Sequence, residues 1–239
     1  MRLKSDSELE DSAIVANCTM NRERRAFGGN SYQRDLGFCP VAYLRERASL
    51  QPEVTWVDLC CGTGLALIES AEYLYTVSPE TRWNLIGVDL VDWFAARPPG
   101  LPGLRFETAS VSGWAFPAAC DLITCVHGLH YVGDKLAVLT AAAAALAPEG
   151  RFLAHLDPSN LRAENGAPLS RPILRQLRSA GAAYDARRHR VTCTGPRSLS
   201  FPYEYLGADD TAGPNYTGQP AVHSVYRSLG SNGPRLRRE

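Results

Sequence analysis

The sequence has no net charge, with 25 Lys and Arg against 25 Asp and Glu. A nucleic-acid partner normally leaves a basic face in the composition, and this balance supplies none, so no nucleic-acid role is expected. None of the seven cysteines forms a C-x-x-C. Scattered thiols of this kind read as reduced and mostly buried in a cytoplasmic protein, so neither a disulfide framework nor a metal site is expected. The charged N-terminus lacks an apolar h-region, so no secretory leader is expected. The longest apolar run, 136–147, falls short of the ~20 residues that a membrane span requires. No internal repeat is present, and oligomeric state is left open, a homodimer being compatible with the sequence. Two nucleotide signatures are also missing. There is no G-x-x-x-x-G-K-[ST], which rules out a P-loop, and the turn at Gly62 has Leu67 where a dinucleotide-binding G-x-G-x-x-G needs its third Gly.

What is present suits one sizeable core, since the chain has 239 residues and is 45% hydrophobic. Val54, Val57 and Leu59 pattern as a buried strand with Asp58 near its end. Gly62 and Gly64 make a tight turn, and Leu65, Ile68 and Tyr75 repeat at helical spacing behind it. Strand, Gly turn and helix form the first unit of a nucleotide-binding α/β domain, and glycine lets backbone approach a ligand closely. A second apolar strand, 83–90, ends in Asp89, which lies beside that turn and can accept both hydrogen bonds of a ribose diol. Leu90, Val91, Trp93 and Phe94 follow, one of them placed to pack on a base. Further strands are expected at 104–109, 121–126 and 151–156, with helices at 40–50 and 135–147, the latter capped by Asp134. Five alternations of strand and helix imply a parallel sheet with helices on both faces. Residues 188–194 and 198–206 read as two more strands around Gly195-Pro196-Arg197. A helix is expected from its cap at Ser170 to near Gly181.

The run Asp58-Leu59-Cys60-Cys61-Gly62-Thr63-Gly64 resembles the first motif, D/E-x-G-x-G-x-G, of the class I S-adenosylmethionine (SAM) methyltransferases, with Cys60 in place of the first Gly. Asp121 to Val132 resembles the family's D-L-V-x-x-x-x-x-L-H-H stretch, and 146–153 its L-x-P-G-G-x-L, with Glu149 replacing one Gly. The resemblance covers roughly 38–206. It implies an α/β, Rossmann-like three-layer sandwich whose seven-stranded, mostly parallel sheet ends in an antiparallel C-terminal hairpin. It implies SAM as cofactor, with Asp58, Cys60, Gly62, Gly64, Asp89, Leu90, Ser110, Val111 and Val126 around it. Ser110 stands where the family often carries an acid for the adenine amino group. The implied activity is in-line methyl transfer to an O, N or C acceptor on a small molecule, with secondary metabolites a natural class. The rivals are a nicotinamide-dependent oxidoreductase and a non-catalytic module that keeps the fold.

Residues 1–37 are expected to be an arm and lid ahead of a single domain, 38–239, with 230–239 a frayed tail. Residues 1–20 are a loose helix or disorder in this reading. The polar, Gly-containing stretch 21–37 is either a solvated linker or a cover over the ligand, from which Arg34 or Tyr32 would reach the cofactor's methionine carboxylate. The methyl of a sulfonium is already electrophilic, so positioning and water exclusion can supply most of the acceleration. A hydroxyl or amine acceptor still benefits from a base. His127 and His130 are the candidates, His130 favoured because it matches the motif, with His155 and Tyr32 behind them. His189 and His223 read as structural. The loop 207–220 is a surface connection or a substrate wall.

Overall fold

The computed structural model describes residues 2–16 and 23–230. The first two residues of the expected lid, 21 and 22, and nearly all of the expected frayed tail lie outside the described residues.

The elements in chain order are α1 (Asp6–Glu10), α2 (Ala13–Ala16), α3 (Tyr32–Leu36), α4 (Pro40–Ala48), β1 (Glu53–Leu59), α5 (Leu65–Val77), β2 (Arg82–Asp89), β3 (Leu104–Thr108), β4 (Cys120–Cys125), α6 (Lys135–Ala144), β5 (Leu146–His155), β6 (Leu161–Ala163), α7 (Ser170–Ser179), β7 (Ala183–Asp185), β8 (Arg190–Thr194), β9 (Tyr203–Asp209) and β10 (His223–Ser228). The main sheet runs β3-β2-β1-β4-β5-β8-β7. β1 pairs in parallel with β2 and β4, β2 with β3, and β4 with β5, whereas β8 runs antiparallel to both β5 and β7. β1 is buried from its second residue onward and β4 throughout, as a strand covered on both faces must be. On one face α4 and α5 bring Val41, Leu44, Leu67 and Leu74 against Trp56 and Leu85. On the other, α6 and α7 bring Leu136, Leu139, Ile173 and Leu177 against Val57, Ile86 and Phe152. The result is the expected three-layer α/β sandwich.

The antiparallel hairpin closes the sheet, but from other residues than expected. β8 pairs with β7, and 198–202 is not a strand. Pro196 and Pro202 cannot donate to a ladder, so a strand forms only beyond them, as β9. β9 pairs antiparallel with β10, which pairs in parallel with β6, making a second, three-stranded sheet. Ser170 is the first residue of α7 rather than its cap, and its hydroxyl donates to the Pro158 carbonyl. Lys135 fastens the second sheet to the first turn of α6: its buried Nζ donates to Val132 O, Val222 O and Ser224 Oγ at 2.8–2.9 Å.

Residues 2–16 are not loose. Lys4 exchanges two backbone hydrogen bonds with Ala208 at the edge of β9 (2.8 and 2.9 Å). Ser5 and Glu8 form a capping box that starts α1, and Leu9 is buried against Ala208 and Val222. The stretch 23–37 is docked as well. Arg24 pairs with Asp35 at 2.6 Å, and the Ala26 amide donates to Glu69 of α5 at 2.8 Å. Among the described residues no helix is long and apolar enough to cross a membrane.

Candidate active site

Strand order reverses between β1 and β4, because β2 and β3 continue to one side and β5 to the other. At such a switch point the loops leaving the carboxyl ends of adjacent strands diverge and open a crevice. A cavity lies there. Its floor is Cys60–Gly62 after β1 and Val126–Gly128 after β4. Asp89 and Leu90 line one side, and Ala109–Ser112, after β3, extend it. The N-terminal segment supplies Asp6, Leu9, Glu10 and Val15, and the stretch before α4 supplies Arg24 and Tyr32.

The two floor turns are tight. Cys60 and His127 both sit in the left-handed region, at φ 55° and 60°, which few residues with a Cβ adopt. Such strain persists only where surrounding structure enforces it, and it gathers at binding sites. Here the enforcing contact is visible, because a Cβ on Gly128 would lie 2.3 Å from Cys60 Cβ. The φ of Cys60 also explains why a Gly would serve there.

Asp89 is held from two sides. Its Oδ2 accepts from the Gly62 amide at 2.8 Å, and its Oδ1 from the Val91 amide at 3.2 Å. The carboxylate is thereby fixed at the cavity wall beside Leu90. Cys60, Gly62, Ser110, Val111, Val126 and Tyr32 also line the cavity. Val91, Trp93 and Phe94 do not; Phe94 stacks on Phe106 at 4.9 Å, and Trp93 is half exposed.

Asp58 and Gly64 stand behind the wall instead of on it. Asp58 is fully buried. It accepts from Tyr32 Oη at 2.7 Å and from Thr124 Oγ1 at 2.5 Å, and Trp56 Nε1 donates to Thr124 in turn at 2.9 Å. Burial pushes its carboxyl up to about 7 despite those two hydrogen bonds, with the Asp89 charge adding to the rise. Its contact with the cavity is indirect, through Tyr32. Gly64, at φ 74°, opens α5, and a Cβ there would lie 2.3 Å from the Phe106 ring. A branched side chain would therefore meet Phe106, not a ligand, as the sequence alone suggested. Gly64→Val is expected to destabilise the fold by about 1–3 kcal/mol through overpacking and to weaken ligand binding only as far as unfolding does. A denaturant titration alongside a binding isotherm checks this; normal stability with lost binding would return Gly64 to the ligand's path.

The histidines cluster beyond β4 and β5. His127 lines the cavity, with its ring stacked on His155 at 4.1 Å between centroids and 8° between planes. Its Nε2 lies 3.6 Å from Asp35 Oδ2 and its Nδ1 3.4 Å from Tyr216 Oη. Burial opposes the Asp35 charge, but His127 and Arg24 outweigh it and hold the carboxyl at about 2. Burial first, then the His127 charge, pushes His155 down to about 3. His130 is fully buried and off the cavity wall, and among the described residues neither ring nitrogen has a hydrogen-bond partner. Burial holds it well below the ordinary imidazole range. The motif match thus favours a histidine that the fold keeps from the cavity. The loop 207–220 reaches this cluster through Tyr216, whose amide donates to Asp157 at 2.8 Å and whose ring stacks on His189 at 3.8 Å. His223 bonds Asn160 through Nε2 at 2.9 Å, away from the cavity.

Asp6, Glu10, Arg24 and Asp35 were not picked out by the sequence reading. Their only signal was a polar segment ahead of the first core helix. Tyr131 and Lys135 do stand at the Tyr-x-x-x-Lys spacing that an oxidoreductase could use, a pair the sequence reading passed over. Lys135 is nevertheless consumed by three acceptors under the second sheet and does not reach the cavity.

Comparison with known proteins adds the family. No curated protein matches the chain. Among solved structures, it is similar to an S-adenosylmethionine-dependent methyltransferase from Mesorhizobium loti, at 25% identity over 50% of this chain and 57% of that one, with a TM-score of 0.36. It is also similar to YjhP of E. coli, at 19% identity over 56% and 52% with a TM-score of 0.39. A third is coclaurine N-methyltransferase bound to N-methylheliamine and S-adenosylhomocysteine, at 14% identity over 64% and 48% with a TM-score of 0.42. The chain thus spans about half the length of these proteins. The family model described as a methyltransferase domain matches residues 32–193, from the buried Tyr32 to the last full strand of the main sheet. With two thirds of its length matched, and its cavity at the switch point of the expected sheet order, the chain belongs to the methyltransferase domain family.

Proposed function

We propose that the cavity binds SAM across the carboxyl ends of β1 and β2, and that the chain moves its methyl group to a small-molecule acceptor. One observation carries this reading. Asp89, tied to the Gly62 amide, presents a carboxylate at the cavity wall where β1 and β2 end, and such a group suits a ribose diol. The remaining wall fits the rest of the cofactor. Leu90 and Val111 offer apolar surface for a base, and the Cys60–Gly62 turn brings main chain to the cavity floor. SAM supplies a sulfonium methyl for in-line displacement. The protein's part is to orient the reactants, exclude water and remove a proton where the acceptor carries one. The docked arm and lid serve the exclusion. His127, on the wall, is the group placed to take a proton from a hydroxyl or amine. A secondary metabolite is a natural acceptor, and a cytoplasmic location without nucleic-acid partners fits the neutral composition.

Calorimetric titration with S-adenosylhomocysteine and with NAD tests the reading. Binding of the first and not the second is expected. In Asp89→Ala the affinity for S-adenosylhomocysteine should fall by about 10- to 150-fold, the range for hydrogen bonds to a charged group. A folded variant with unchanged affinity would remove Asp89 from the ribose, and preference for NAD would favour an oxidoreductase.

A further inference from the structure

The base of the proposed cofactor has a direction imposed by the sheet. With the ribose at Asp89, the reacting end must lead toward His127, past β4, so the base leads the other way, toward β3. β3 is the immediate neighbour: Asp89 pairs with Thr108, and the Ala109 amide donates to the Asp89 carbonyl at 2.9 Å. Adjacent strands lie about 4.8 Å apart, so a base extending from a ribose over β2 passes over the tip of β3. Four residues line the cavity there, Ala109–Ser112.

The polar group at that tip does not come from β3 alone. Ser110 Oγ donates its proton to Glu10 Oε1 and accepts from the Ser112 amide at 3.1 Å. Its donor is therefore committed. Glu10 lines the same cavity, and Ser110 accounts for one of its two carboxylate oxygens. The placement of Glu10 is not accidental. The Lys4–Ala208 bridge, the Ser5–Glu8 capping box and the buried Leu9 fix α1 upstream of it.

We infer that Glu10, positioned by Ser110, accepts a hydrogen bond from the exocyclic amino group of the cofactor's adenine and thereby selects a 6-amino over a 6-oxo purine. A carboxylate offers only acceptors, so it pairs with an amino group and is left facing a carbonyl oxygen in the 6-oxo case. The arm would then read the cofactor as well as shield it. This inference rests on the SAM reading above and extends it to a residue outside the matched 32–193.

The test compares S-adenosylhomocysteine with S-inosylhomocysteine, its 6-oxo analogue, by calorimetry on the full chain. The unaltered protein should prefer the adenine compound by about 10- to 100-fold, as a lost charge-assisted hydrogen bond would give. Glu10→Ala should bring the two affinities within about threefold, chiefly by weakening the adenine compound. Ser110→Ala, which leaves the carboxylate but frees it, should narrow the preference less. Circular dichroism and thermal melting establish that each variant is folded; should Glu10→Ala not fold, Ser110→Ala alone must narrow the preference. An undiminished preference in folded Glu10→Ala overturns the inference while leaving the cofactor reading intact. Failure of the unaltered protein to bind either compound overturns both.

Discussion

His127→Gln is expected to lower turnover by about 10²–10⁴-fold while leaving affinity for S-adenosylhomocysteine nearly unchanged, provided that the acceptor is a hydroxyl or an amine. His127 is the only histidine among the described residues on the cavity wall, and it is held there by a left-handed turn after β4. His155 lies flat against one face of its ring and is pushed down to about 3 by burial, so it stays neutral and does not repel a proton arriving on His127. Asp35, ionised because it is held at about 2, stands 3.6 Å from Nε2 and stabilises the imidazolium formed when Nδ1 takes a proton. Tyr216 Oη faces Nδ1 at 3.4 Å, so the acceptor must displace this contact or be served through it. A base works only while neutral. The rate should fall as pH drops and protonates the ring, and this acid limb should disappear with the Gln variant. His130→Gln, by contrast, alters a fully buried ring and should cost stability more than rate. Steady-state kinetics across pH with both variants decides. Near-normal turnover and an unchanged acid limb in His127→Gln would leave catalysis to proximity alone.

The contrast between the two histidines shows where sequence reasoning stops. The Gly turn, Asp89 and the alternation of strands and helices were legible because they are local: strand, turn and helix follow within a short span, and hydrophobic spacing reports them directly. The choice between His127 and His130 is not local. It depends on a positive φ at His127, in the turn where Gly128 packs closely against Cys60 just after β1. The motif match marks His130, and burial removes it from the cavity. The same limit explains the arm. Nothing within residues 2–16 reveals that Lys4 will pair with Ala208, so a short amphipathic stretch reads as loose when it is docked. It also explains the end of the chain. The apolar spacing of 198–206 suggests a strand, but Pro202 delays it, and its partner β10 lies beyond a Gly- and Pro-punctuated loop. The second sheet, and the Tyr216 loop between its strands β9 and β10, could not be placed from spacing alone.

Asp58→Asn should stabilise the protein above neutrality and remove a pH dependence. Asp58 is fully buried in the Tyr32–Thr124–Trp56 network, among the described residues without a cationic partner, and burial pushes its carboxyl up to about 7 from an ordinary 3.8. The sign follows from proton binding. Between those two values the folded protein holds a proton on Asp58 that the unfolded chain has released, so this group's contribution to stability falls as pH rises through the window. Above it, the buried charge costs at most about 4 kcal/mol, from ~3 pK units at 1.36 kcal/mol each. Asn is nearly isosteric and uncharged. Its carbonyl accepts from Thr124, and its amide can donate to the Tyr32 oxygen after that hydroxyl turns, so the network survives. The neighbouring histidines complicate the raw curve. His155, pushed down to about 3 by burial, contributes stability that rises with pH below the ordinary imidazole value, the opposite slope. The difference between wild type and Asp58→Asn cancels such shared terms. Urea unfolding of both proteins from about pH 4 to pH 8 should give curves that nearly coincide at the acid end and separate progressively, with the variant more stable by about 1–3 kcal/mol at the alkaline end once relaxation and solvent entry are allowed for. A constant difference across the range would mean that Asp58 titrates alike in both states. A variant less stable at pH 8 would mean that the Tyr32 and Thr124 hydroxyls need the carboxylate's two acceptors more than the interior resists its charge.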